Sequence, residues 1–235
     1  MAIDRVVKLT LALGASVLMT QAYGSLDRVG DFALLDNSGE FHQISRYQHR
    51  KAVVMMSYHP SCNSIADSVS YLSELNTKFA GDDVEFLLLD SSGSDRALID
   101  GLDLPLPALN DVGQLVSAAL EIERSGEVIV FNPERLSLFY RGAANQSLDS
   151  ALQALLGGSV SDTVSNAVAG SAIDYPMRDR LLADPPDYST EVAPIVVDNC
   201  SECHRWGGAG PFALDSYTSL LGWSPMIREV LLNKR

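Results

Sequence analysis

The sequence predicts an α/β fold, a central mixed sheet flanked by helices, followed by a small, mostly α segment. Three observations predict it. The continuous apolar runs 51–58 and 84–89 have the length and make-up of strands buried on both faces. Val69, Leu72, Leu75 and Phe79 recur at helical spacing between them. Over 159–187 the composition shifts to Ser, Asp, Ala and Gly before a second helical pattern begins.

The chain has 235 residues, 46% of them hydrophobic, enough for one large or two modest domains. With 17 basic against 30 acidic residues its net charge is −13. A polyanion would be repelled, no Lys/Arg cluster offsets the balance, and nucleic acid is excluded as a partner.

Residues 1–24 have the form of a signal peptide. Arg5 and Lys8 precede an apolar run from Leu9 to Met19, and Ala22 and Gly24 stand three and one before a cut at Ser25. The run is short for a bilayer span, so cleavage is expected rather than stable membrane insertion. The expected location is periplasmic or secreted.

Residues 25–158 read as the α/β domain. Val29 to Leu34, the turn Asp36 to Glu40 and the return form a first hairpin. The buried strand 51–58 delivers His59, Pro60, Ser61 and Cys62, which places Cys62 at a helix N-terminus. A second buried strand spans 84–89 and a short helix 115–120. Strands 127–131 and 136–141 pair around Asn132-Pro133-Glu134-Arg135. A helix over 148–156 closes the domain at Gly157-Gly158. Residues 159–187 are expected as a linker, stiffened by Pro185-Pro186, with Tyr175 and Met177 packed on the first domain. Residues 188–235 form the final segment: a helix carrying Val192, Ile195 and Val196, then helical pieces over 216–221 and 225–232.

That helix leads into Cys200-Ser201-Glu202-Cys203-His204. Two thiols three positions apart can each add across one vinyl group of a haem, and the adjoining imidazole then lies beneath the iron. Zinc would need a fourth ligand, and the remaining cysteine, Cys62, is in a distant segment. A dithiol redox pair should open a helix after a buried strand, whereas Gly207, Gly208, Gly210 and Pro211 follow here. The spacing therefore predicts covalent haem c on Cys200 and Cys203, with His204 as axial ligand and Met226 as a candidate sixth ligand. Phe212, Tyr217 and Trp223 are aromatic candidates for packing on the ring.

The order of elements around Cys62 is similar to the thioredoxin fold. Gly30-Asp31-Phe32 through Gly39 resembles the opening pattern of its redoxin and peroxiredoxin branch. The resemblance covers about 130 residues and puts Cys62 in the place of the reactive cysteine, with His59 as a partner to the thiolate and Arg124 as a peroxide-orienting cation. Three positions depart from it. Ile65 leaves no second cysteine, His59 stands where peroxiredoxins carry threonine, and Ser125-Gly126-Glu127 replaces the cis-proline of thioredoxins. The final segment resembles a c-type cytochrome domain. Gly222 to Val230 resembles a stretch of larger exported proteins that join a redoxin domain, a haem-c domain and a copper monooxygenase-like region, which implies that this chain is their N-terminal part.

The expectation is an exported redox protein that binds covalent haem c and passes electrons to a redox partner protein, with the thioredoxin-like domain as docking or thiol-redox module. Two alternatives remain: a one-cysteine thiol peroxidase centred on Cys62, and a non-redox binding scaffold.

Overall fold

The computed structural model describes residues 27–62, 64–94, 98–99, 102–159 and 163–233. The expected signal peptide lies outside the described residues. Among these residues, no helix is long and apolar enough to cross a membrane.

A small antiparallel hairpin, β1 (Ala33–Leu35) and β2 (Phe41–Gln43), opens the chain. Asp36 builds its turn: Oδ1 accepts from the Ser38 and Glu40 backbone N–H groups, and Gly39 takes φ 88°. The main elements follow in order as β3 (Ala52–Tyr58), α1 (Ile65–Lys78), β4 (Val84–Asp90), β5 (Ala108–Asn110) and α2 (Leu115–Ala119). Next come β6 (Glu127–Asn132), β7 (Ser137–Ala143), α3 (Gln146–Leu156) and β8 (Val164–Ser165). Strands β3 to β8 form one mixed sheet in the order β5-β4-β3-β6-β7-β8. β3 runs parallel to β4 across the α1 crossover and antiparallel to β6.

β3 is the sheet's centre and is buried at every position. Because successive side chains alternate, Ala52, Val54, Met56 and Tyr58 pack with Ile65, Val69 and Leu72 of α1 and Leu148 and Leu152 of α3. Val53 and Met55 face the opposite core, with Leu87, Leu89, Ile129, Phe131, Val116 and Ile173. α3 begins where the Asn145 side chain accepts from the Ser147 N–H at 2.9 Å.

The stretch expected as a linker contributes to this body. β8 adds to the sheet edge beside β7, Ile173 enters the second core with Tyr175 packed against it, and α4 (Pro176–Ala183) follows. The Met177 N–H is held by Gln114 Oε1 at 3.0 Å.

Beyond it, a π-helical turn (Tyr188–Val192) runs into α5 (Ala193–Asn199), and α6 (Tyr217–Leu232) ends the described chain. The two helical pieces expected over 216–232 are one helix with Pro225 inside it. Proline's missing N–H would orphan the Leu221 carbonyl, but the Ser224 hydroxyl donates to that oxygen at 2.8 Å.

Candidate functional site

The cysteines fall in two separate stretches of the described chain. The first is where β3 ends. The chain turns through His59 to Ser61, with the Cys62 N–H bonded to the His59 carbonyl at 3.0 Å and the Ile65 N–H to the Cys62 carbonyl at 3.1 Å. The sulfur is thus set just ahead of α1, whose unpaired N–H groups carry partial positive charge.

Cys62 is 6% exposed. Its Sγ lies 3.4 Å from Ser64 Oγ and accepts from the Ser171 hydroxyl at 3.6 Å. The Ser171 backbone N–H is the strongest influence on the thiol, followed by the Ser64 hydroxyl. These donors outweigh burial and lower the thiol's pKa to about 6.

Neither expected helper is aimed at this sulfur. The His59 Nδ1 is engaged with Ser61, 2.9 Å from its hydroxyl. Arg124 donates from Nη1 to the Gly170 carbonyl at 2.9 Å. Among the described residues the side-chain partners of Cys62 are Ser64 and Ser171, and Ser171 comes from the segment expected as a linker. Residues Ala169-Gly170-Ser171-Ala172 did carry a signal: a run of small side chains permits close backbone approach. A Cβ on Gly170 would lie 1.6 Å from the Ser125 carbonyl oxygen.

The second place follows α5. Cys200 caps that helix, its N–H bonded to the Val196 carbonyl at 2.9 Å, and the His204 N–H bonds back to the Cys200 carbonyl at 2.9 Å. The glycine loop then returns: the Gly210 N–H meets the Cys203 carbonyl at 2.8 Å and the Leu214 N–H meets the His204 carbonyl at 2.8 Å. Gly210 is required by that return, since a Cβ would fall 2.7 Å from His204 Nδ1.

The His204 Nδ1 lies 3.1 Å from the Phe212 carbonyl. A carbonyl oxygen only accepts, so Nδ1 carries the proton and Nε2 of the neutral ring keeps its lone pair. The His204 ring packs on Phe212 at 4.7 Å, and Phe212 stacks on Trp223 at 4.2 Å. Tyr217 instead meets Tyr188 edge-on. Met226 lies on α6 and is 37% exposed. Both thiols are free, Cys200 partly buried and Cys203 exposed.

Among the described residues, the His/Cys/Asp/Glu group whose ligand atoms lie within 4.8 Å of one another is Asp36, Glu40 and His42. That cluster bonds inwardly: Asp36 holds its turn, and both His42 nitrogens are taken, one by Asp36 and one by Tyr47. Cys200, Cys203 and His204 do not converge in this way. A tetrahedral metal centre demands convergence, whereas a porphyrin edge separates its two attachment points from its iron.

No protein-family model matches the chain, and no curated protein matches it in sequence. Solved structures do resemble it. A hypothetical protein from Sinorhizobium meliloti superposes with TM-score 0.55 at 18% identity, over 63% of this chain and 93% of its own. An uncharacterized conserved protein from Geobacillus kaustophilus gives TM-score 0.56 at 21% identity, over 63% of this chain and 90% of that one. A protein from Chlorobium tepidum, described as a candidate thiol:disulfide interchange protein DsbE, gives TM-score 0.50 at 11% identity, over 56% and 96%. At these identities the likeness establishes the fold. The chain contains a thioredoxin-like α/β fold, a mixed central sheet with flanking helices.

Proposed function

We propose that this protein is an exported redox carrier in which a thioredoxin-like body supports a covalently bound haem c, held by Cys200 and Cys203 and ligated through His204 Nε2. The observation that carries it is the hydrogen bond from His204 Nδ1 to the Phe212 carbonyl, which fixes the tautomer that leaves Nε2 free for iron. The surroundings suit a flat apolar group: Phe212 and Trp223 stack beside the imidazole, while Ile195, Val197 and Leu221 stand exposed. Once bound, such a group supplies one-electron transfer, with a potential set by its axial ligands and burial. The chain's own part is to orient His204, hold both sulfurs and exclude water with its aromatic side chains. Met226 is the candidate for the sixth ligand, and with the chain at −13 a basic redox protein is the expected partner. Thioether attachment takes place outside the cytoplasm, in keeping with the signal-like residues 1–24.

The test is a pyridine haemochrome spectrum of the full chain expressed with haem-maturation machinery. One haem per chain is expected, with none in the Cys200→Ser/Cys203→Ser variant. Colourless protein with both sulfurs open to alkylation would end the proposal.

The Cys62 centre carries a second activity, one-cysteine thiol peroxidase chemistry, favoured by the thiol's depressed pKa and its serine donors. A passive scaffold would call for an ordinary thiol. In the folded chain, alkylation of Cys62 by iodoacetamide should rise through a midpoint near pH 6, and Ser171→Pro, which removes the N–H donor, should move that midpoint up toward 9.0. Cys62→Ser should abolish peroxide consumption and leave haem reduction untouched. A wild-type midpoint near 9.0 would favour the scaffold.

A further inference from the structure

The segment that supplies Ser171 is a strap across the front of the Cys62 site, and it does more than donate a hydrogen bond. Gly170 to Ile173 runs antiparallel to the residues leading into β6: Ala172 pairs with Arg124, the Ser125 N–H bonds the Ser171 carbonyl at 2.9 Å, and the Ile173 N–H bonds the Glu123 carbonyl at 3.0 Å. An open backbone edge beside a reactive thiol is where an extended polypeptide would add as a strand. Here the chain's own backbone occupies it.

The strap is anchored on both sides. Upstream, Asn166 Oδ1 accepts from the Ala143 N–H at 2.8 Å and Asn166 Nδ2 donates to the Tyr140 hydroxyl at 2.9 Å. Downstream, Ile173 is buried in the core and Gln114 Nε2 donates to the Asp174 carbonyl at 2.9 Å. Arg124 clamps the middle through the Gly170 carbonyl. Beneath it Ser125 is 1% exposed and, among the described residues, its hydroxyl has no hydrogen-bond partner, an unsatisfied polar group at the junction of strap and sheet.

We infer that the Gly170–Ile173 strap is the specificity determinant of the Cys62 centre, filling the edge on which a peptide would lie so that the thiol serves small hydroperoxides and is closed to protein disulfides. The inference rests on the thiol chemistry proposed for Cys62. Attack on a disulfide needs the thiolate in line with an S–S bond that is carried by two chains, and the strap stands in that approach. Hydrogen peroxide is little larger than water, and a small alkyl hydroperoxide presents its terminal oxygen on a single chain. The thiolate sulfur attacks one peroxide oxygen, the S–O bond forms as the O–O bond breaks, and the departing hydroxide or alkoxide takes up a proton. Sulfur loses two electrons to the peroxide and ends as sulfenic acid. Ser171 and Ser64 hold the thiolate ready for that step.

The test compares two oxidants on the full haem-loaded chain, hydrogen peroxide and a short disulfide-linked peptide dimer, with Cys62 followed by site-resolved mass spectrometry. Wild-type protein should form sulfenic acid and essentially no mixed disulfide. Gly170→Val, whose Cβ cannot coexist with the Ser125 carbonyl, should displace the strap and shift the ratio toward mixed disulfide by roughly tenfold or more. Arg124→Ala removes only the clamp and should shift the ratio the same way by less, which keeps the test available should Gly170→Val fail to fold by circular dichroism. Mixed disulfide forming in wild-type protein as fast as sulfenic acid would overturn the strap's role while leaving Cys62 a live thiol. So would an unchanged ratio in a folded Gly170→Val or Arg124→Ala variant. Reaction with neither oxidant would overturn the thiol chemistry itself.

Discussion

Residues 27–183 and residues 188–233 use the same apolar side chains to opposite effect. In the first region the strands and helices bury theirs in two cores on either side of the sheet. In the second, among the described residues, Leu214 is the buried apolar side chain, while Trp206 is 85% exposed and α5 and α6 bury none. The difference is one of element length and partners. A sheet offers two broad faces, and α1 and α3 are long enough to cover one of them. α5 is two turns long and leads into a glycine loop, so it has no surface of its own to close on. The haem proposed for Cys200 and Cys203 is a rigid apolar group that would give these side chains a surface to close on.

The largest effect that separates the regions should come from removing that group. In limited proteolysis of the haem-loaded full chain, cuts within 188–233 should be slow. In Cys200→Ser/Cys203→Ser they should speed up by roughly tenfold or more, with residues 27–183 left intact. Equal cleavage rates in the two proteins would mean that haem does not order the segment.

Next in size is a contrast within the haem-free chain. Leu88 lies in β4 at 0% exposure, so Leu88→Ala should cost about 2–5 kcal/mol in a denaturant titration through lost burial and the cavity left behind. Trp206→Ala, although it removes a larger side chain, should stay within about 0.5 kcal/mol because the indole buries little to lose. A large loss at Trp206 would show that the segment folds on its own and would dissolve the distinction.

The same contrast explains what could be read from the residues alone. β3, β4 and α1 were legible because a strand buried on both faces and a helix of 3.6-residue period leave unmistakable apolar patterns, and the β6–β7 hairpin was marked by its Asn-Pro turn. The short β5 and β8 were not, since two or three residues hold no period. The position of Cys62 just ahead of α1 was legible from its place after β3. Its partner Ser171 was not, because the pairing spans 109 positions and is made largely by backbone, to which side-chain type is nearly blind. At the other end the motif was plain, yet the bond from His204 to Phe212 depends on how the glycine loop returns.

The smallest effect concerns two carboxylates, one in each region, whose pKa values are both lowered. Burial alone would raise Asp149, but bonds from Lys78, Gln153 and Gln146 outweigh it. The folded state therefore releases this proton more readily than the unfolded chain does. The contribution to stability is whole above the ordinary carboxylate range and is lost as pH falls through the lowered folded value. Lys78 is half-exposed, so solvent screens the pair, and Asp149→Asn should cost about 0.2–1 kcal/mol at neutral pH and nothing once the carboxyl is protonated. Asp187 is lowered by the Thr190 backbone N–H and hydroxyl, which it accepts at the start of the π-helical turn. It caps a segment that stands outside the cooperative cores, so Asp187→Asn should loosen amide protection over 188–192 and leave the global denaturation midpoint and its pH dependence where they were. A shift of the global midpoint in Asp187→Asn as large as that in Asp149→Asn would mean that the two regions unfold as one cooperative unit.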